Sequence, residues 1–158
     1  MSNNYIVWSE TLCLPTPEIA NWANDFFTFL NNIANDETIE NPSIPSDRPE
    51  FRDYVEDIGN FSLDCGGFGF AFEEPGMDEN SIYVFSDENG NLEACLEAIH
   101  VVLKHFKLEH VFTLRWAEYS DRNRCGDIGG GAAVVTQSVN KAVNTSVLCD
   151  QLIEGLNK

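Results

Sequence analysis

Leu92-Glu93-Ala94-Cys95-Leu96-Glu97-Ala98-Ile99-His100-Val101-Val102-Leu103-Lys104-His105-Phe106 is followed, after Lys107-Leu108-Glu109, by His110-Val111-Phe112-Thr113-Leu114-Arg115-Trp116-Ala117. The change of period between these two runs decides the fold. In the first, Leu92, Cys95, Leu96, Ile99, Val102, Leu103 and Phe106 recur at helical spacing, with Glu93 and Glu97 outward near the positive N-terminal end. In the second, apolar and polar residues alternate as in a half-buried strand. Upstream, Phe68, Phe70 and Phe72 alternate with Gly67, Gly69 and Ala71, a turn spans Glu73 to Asn80, and Ser81-Ile82-Tyr83-Val84-Phe85 is a second strand. These make an antiparallel hairpin with an acidic tip. Downstream, Gly130-Gly131-Ala132-Ala133-Val134-Val135-Thr136 returns as a fourth strand, so residues 61–136 read β-β-α-β-β.

Outside this core, Tyr5-Ile6-Val7-Trp8 is strand-like. Thr16-Pro17 pairs a hydroxyl N-cap with a proline at the first helical position. Ile19, Trp22, Ala23, Phe26, Phe27, Leu30 and Ile33 then continue at helical spacing. After a polar loop at 35–46, Ser46 can cap a short helix through Phe51, Tyr54, Val55 and Ile58, ended by Gly59. Thr145 to Leu156 predicts a closing C-terminal helix. No linker divides two cores and no repeat is visible. The expected architecture is one α+β domain over 1–158: a four-stranded, mainly antiparallel sheet with flanking N- and C-terminal helices. Within it, 1–60 is an N-terminal strand and helical acidic portion, 61–136 the core, and 137–158 the C-terminal helix.

A chain of 158 residues, 43% hydrophobic, can bury a real core, and no apolar run approaches the length of a membrane span. The N-terminus lacks a basic-then-apolar signal, so the expected address is cytoplasmic. Cys13, Cys65, Cys95, Cys125 and Cys149 are odd in number and far apart, which argues against a disulfide framework. Neither they nor His100, His105 and His110 show metal-ligand spacing, and no cofactor is expected.

Each local motif has a plainer reading. Gly126-Asp127-Ile128-Gly129-Gly130-Gly131, with Arg122 and Arg124 nearby, runs into a strand rather than a helix, so a bulged hairpin that needs positive φ or close backbone approach explains it better than a phosphate loop. Asp87-Glu88-Asn89-Gly90-Asn91 opens like a calcium loop, but Leu92 and Ala98 stand where glycine and a bidentate Glu belong. Cys125 beside Arg124 favours thiolate, though no partner histidine is adjacent in sequence. Glu73-Glu74 and Asp78-Glu79 occupy a turn of the kind that stays solvated.

The charge remains to be explained. Nine basic residues face 26 acidic ones, a net −17, which disfavours direct binding to nucleic acid or an anionic membrane. Residues 1–100 hold twenty acids against Arg48 and Arg52 (net −18), whereas 101–158 hold six acids against seven bases (net +1). Adaptation to salt would spread acid evenly. A one-sided array suits a basic partner, and carboxylates on a rigid body can offer the potential of a duplex to a nucleic-acid-binding protein. The candidate contact residues are Glu37, Glu40, Glu50, Asp53, Glu56, Asp57, Glu73, Glu74, Asp78, Glu79, Asp87, Glu88 and Glu93. The expected function is therefore that of a non-enzymatic acidic inhibitor, a DNA mimic that blocks a nucleic-acid-binding protein.

Phe112-Thr113-Leu114-Arg115-Trp116-Ala117, with Ser120, Arg124 and Gly126, then Gly129-Gly130-Gly131-Ala132 and Val134-Val135-Thr136, resembles a motif of small uncharacterised proteins of bacterial plasmids, phages and integrative elements. The family has no established activity, so the resemblance implies origin rather than mechanism. It implies mobile-element counter-defence, such as an anti-CRISPR or anti-restriction role. Two alternatives stand beside this: an immunity or adaptor protein for a basic partner, and a small enzyme centred on the Arg122–Gly131 turn.

Overall fold

In chain order the elements of the computed structural model are β1 (Asn4–Cys13), α1 (Pro17–Asn35), α2 (Phe51–Ile58), β2 (Gly69–Phe72), β3 (Ser81–Ser86), α3 (Leu92–His105), β4 (Phe112–Ser120), β5 (Gly129–Val135), β6 (Asn140–Asn144) and α4 (Thr145–Leu156). The structure describes residues 4–35, 42–58, 66–72, 78–121 and 128–156, the side chains of 56–58 excepted. The fold is α+β, but the sheet has six strands rather than four, in the order β2-β3-β1-β4-β5-β6, and all neighbours are antiparallel.

The two additional strands differ in how the sequence shows them. β1 reads as a strand at Tyr5–Trp8 but outside the expected sheet, whereas it is central. Trp8 stands opposite both Ser86 of β3 and Trp116 of β4, so the first strand of the chain separates the two hairpins of the core. β6, Asn-Lys-Ala-Val-Asn, is a short edge strand with little apolar content, held from one side by β5. It lies within 137–158, the stretch the sequence reading assigns to the C-terminal helix.

Pleat and register sort the side chains into two faces. On the inner face Trp8, Leu12, Ile82, Val84, Phe112, Leu114, Trp116, Ala133 and Val135 are buried beneath the helices. The α3 stripe is buried as expected at Cys95, Leu96, Ile99, Val102 and Leu103. Phe27 of α1 meets Phe68 and Phe70 edge-on, which uses the phenylalanines of the β2 segment. Thr16 caps α1, its Oγ1 accepting from Ile19 N at 3.3 Å.

Two expectations about helices need correction. α2 begins at Phe51, not just after Ser46, because Pro49 disfavours helical geometry at Arg48 and holds the preceding residues in turns. α4 has the expected bounds but does not close the fold, since none of its residues is buried.

The Gly-rich strand shows the close approach that its sequence predicted. Gly130 has φ +153°, and a Cβ there would lie 2.3 Å from the Trp116 carbonyl oxygen. At Gly131 a Cβ would lie 2.3 Å from both Trp116 Cζ2 and the Val143 carbonyl oxygen. The indole of Trp116 therefore rests on Gly131, while its Nε1 donates to Glu118 Oε1 at 2.9 Å. Within the described residues, the Trp-Ala and Gly-Gly-Gly-Ala segments form one packing device.

Candidate functional site

The turn between β3 and α3 is the best-built acidic feature. Ser86 Oγ donates to the Ile6 carbonyl at 2.8 Å and accepts from Gly90 N at 2.8 Å. Ile6 N donates to the Glu88 carbonyl at 2.7 Å. Asn91 N and Nδ2 donate to the carbonyls of Gly67 and Gly66 at 2.9 and 3.0 Å, and Asn91 Oδ1 caps α3 by accepting from Ala94 N at 3.1 Å. The backbone is thus tied to β1, to the segment before β2 and to the helix, while Asp87, Glu88 and Glu93 point into solvent. None of these three makes a salt bridge with a described residue.

The remaining candidates are distributed differently. Asp78 and Glu79 are exposed at the opposite end of β3, separated from Asp87 by about 20 Å of strand. Asp53 is exposed on α2. Glu56 and Asp57 lie on the backbone of α2, with side chains outside the description, and Glu37, Glu40, Glu73 and Glu74 lie outside the described residues. The structure thus brings Asp87, Glu88 and Glu93 together and sets Asp78 and Glu79 apart from them.

Glu50 has an internal role. Its Oε1 accepts from Trp22 Nε1 at 2.9 Å, beside the Arg48–Asp25 salt bridge of 2.9 Å. Burial alone would raise its pKa, but the Trp22 hydrogen bond, its own backbone N–H and the charges of Arg48 and His105 together hold it below the ordinary value. The ring of His105 stacks on Trp22 at 4.5 Å and shares a hydrogen bond with Tyr54 through Nδ1. Burial lowers the His105 pKa, and Glu50 opposes part of that shift. These residues join α1, α2 and the end of α3. The other histidines diverge: His100 Nδ1 bonds the Thr136 carbonyl at 2.8 Å, on the far side of the same helix.

Arg122, Arg124, Cys125, Gly126 and Asp127 lie outside the described residues. A cleft of about 400 Å³ is lined by residues including Tyr5, Glu118, Tyr119, Gly129 and Thr145. Tyr5 and Tyr119 stack at 5.1 Å. Sequence reading missed this pair, because only the β1–β4 register sets the two rings opposite each other. Among the described residues the thiols are Cys13, Cys95 and Cys149. Cys95 is fully buried, and burial pushes its pKa up, with the Trp8 indole opposing the shift slightly.

Fold and site define an antiparallel α+β protein with α1 and α3 on one face of its sheet and a hydrogen-bonded acidic corner at the head of α3. No protein-family model, curated protein or solved structure matches the chain. No helix among the described residues is long and apolar enough to cross a membrane.

Proposed function

We propose that this protein is a non-enzymatic acidic inhibitor that occupies the nucleic-acid-binding surface of a basic partner, as a decoy for duplex DNA. The observation that carries the reading is the corner of Asp87, Glu88 and Glu93, three solvent-facing carboxylates on a backbone held by six hydrogen bonds and opposed by no described cation. A polyanion mimic needs charge fixed in space, because flexible acids lose conformational entropy on docking. Its helix N-terminal position offsets part of the repulsion that such clustering costs. Asp78 and Glu79 at the other end of β3 form a second contact region. The resemblance of the Trp-Ala and Gly-Gly-Gly-Ala segments to a motif of mobile-element proteins fits a role in counter-defence.

The test is capture from a bacterial lysate by the wild type and by Asp87→Lys/Glu88→Lys/Glu93→Lys. A partner displaced by duplex DNA, released steeply as salt rises and lost by the triple variant supports the proposal. Equal capture by both proteins, or no competition from DNA, overturns it. The cleft beside Tyr5 and Tyr119 favours a second reading, an enzyme at the Arg122–Gly131 turn. That reading requires loss of a turnover on alkylation of Cys125.

A further inference from the structure

The face of the sheet opposite α1 and α3 is open among the described residues, and in this acidic protein it carries no acid. Register places Tyr5, Val7, Ala117, Tyr119, Ala132 and Val134 on it, together with the cations Arg115 and Lys141. Tyr119 and Val134 are 41% and 42% exposed, and Arg115 and Lys141 are exposed without a salt bridge to a described residue. Every acid on the described strands lies elsewhere.

The same chain holds a helix that lacks a surface to cover. α4 is capped by Asn144, whose Oδ1 accepts from Val147 N at 2.8 Å, and it meets β5 and β6 at its start. Leu148, Leu152, Ile153 and Leu156 are nevertheless 45%, 64%, 56% and 85% exposed. With Cys149 they form one stripe, and Asp150, Gln151 and Glu154 occupy the other side. An isolated helix of this length is marginal in water, so packing must supply its stability. A bare apolar helix and a bare sheet face are the two halves of a helix-on-sheet layer.

We infer that α4 docks on the open sheet face of a second copy of this chain, reciprocally, in a two-fold dimer. Charge selects that occupant: the described part of α4 carries Asp150 and Glu154 and no base, and the sheet face carries Arg115 and Lys141 and no acid. The same acids disfavour an anionic membrane as the occupant. Area selects the geometry. The exposures above equal about two and a half whole residues, or roughly 400 Å² of apolar surface per helix. Two helices pairing with each other would bury only about 800 Å², the size of a lattice contact, whereas two helices each covering a matching patch of sheet bury about 1,600 Å², the size of a stable interface.

Sedimentation of the full chain from about 1 to 100 µM tests this, with a concentration-dependent dimer expected. Leu152→Asp, at a position that is not buried and so does not threaten the fold, shifts the chain to monomer. Asp150→Lys/Glu154→Lys weakens association at least about tenfold, and adding Arg115→Glu/Lys141→Glu restores it. With Cys13, Cys65 and Cys125 changed to Ser, a chain keeping Cys149 is mixed with a tagged chain carrying Ala132→Cys and Cys149→Ser, and a disulfide between the two is expected. A wild type that stays monomeric at about 100 µM overturns the inference. So does a dimer that survives Leu152→Asp, or a mixture in which no disulfide joins the Cys149 chain to the Ala132→Cys chain.

Discussion

Gly131→Ala adds one methyl group where the structure has no room for it. The new Cβ would sit 2.3 Å from the Val143 carbonyl oxygen and 2.3 Å from Trp116 Cζ2. The carbonyl belongs to the β5–β6 ladder and cannot retreat without opening that pairing, so the indole must move. Moving it costs about 1–3 kcal/mol in overpacking. It also breaks the Trp116–Glu118 hydrogen bond, worth about 1 kcal/mol more. The expected loss is about 2–4 kcal/mol, a large share of a typical total of about 5–15 kcal/mol. With a urea m-value near 2 kcal/mol/M, the midpoint falls by about 1–2 M. Circular dichroism should follow the transition, because Trp8, Trp22 and Trp116 all contribute to fluorescence. Gly129→Ala is the control: its Cβ would meet nothing closer than 3.6 Å, and its midpoint should stay within about 0.3 M of wild type. If Gly131→Ala denatures alongside that control with an unchanged m-value, the packing account of the Gly-Gly-Gly-Ala segment is wrong.

Asn91→Ala removes the α3 cap and the bond to the Gly66 carbonyl, and it should cost about 2–3 kcal/mol by the same measurement. It also loosens the corner that presents Asp87 and Glu88, so its affinity for a basic partner should fall even though no carboxylate is removed. Acidification should destabilise the α1–α2–α3 junction. The folded His105 pKa lies below its ordinary 6.5, so the unfolded chain takes up that proton first and stability is lost as pH falls below about 6.5. Glu50, also lowered, adds a further loss as pH falls through and below its ordinary 4.5. Relief of general charge repulsion acts in the opposite direction on every variant, so the comparison of interest is with His105→Phe. Its melting temperature should fall less than that of wild type between about pH 7 and 5.5, and equal falls would contradict the assignment.

Local periodicity made much of the fold legible. The run from Leu92 predicted α3 to within a residue, Thr145 to Leu156 matched α4, and Phe68, Phe70 and Phe72 marked the inner face of β2. What escaped depended on partners remote in sequence. The central place of β1 exists only through the pairing of Trp8 with Ser86 and Trp116, residues 78 and 108 positions away. β6 has too few apolar residues to announce itself. The acids could be named in advance, but their grouping could not. Asp78–Glu79 and Asp87–Glu88 look continuous along the chain, yet β3 holds them at opposite ends. Glu50 likewise reads as an outward carboxylate until Trp22, 28 residues earlier, is seen to claim it.

The side of the sheet that bears no acid among the described residues also governs how the molecule meets anything charged. Carboxylates kept off one surface and present elsewhere give the body an electric moment, so that a cation at a distance exerts a torque on it as well as a pull. The protein turns its anionic rim forward before touching, which raises the fraction of collisions that begin correctly oriented and makes the association rate fall with added electrolyte.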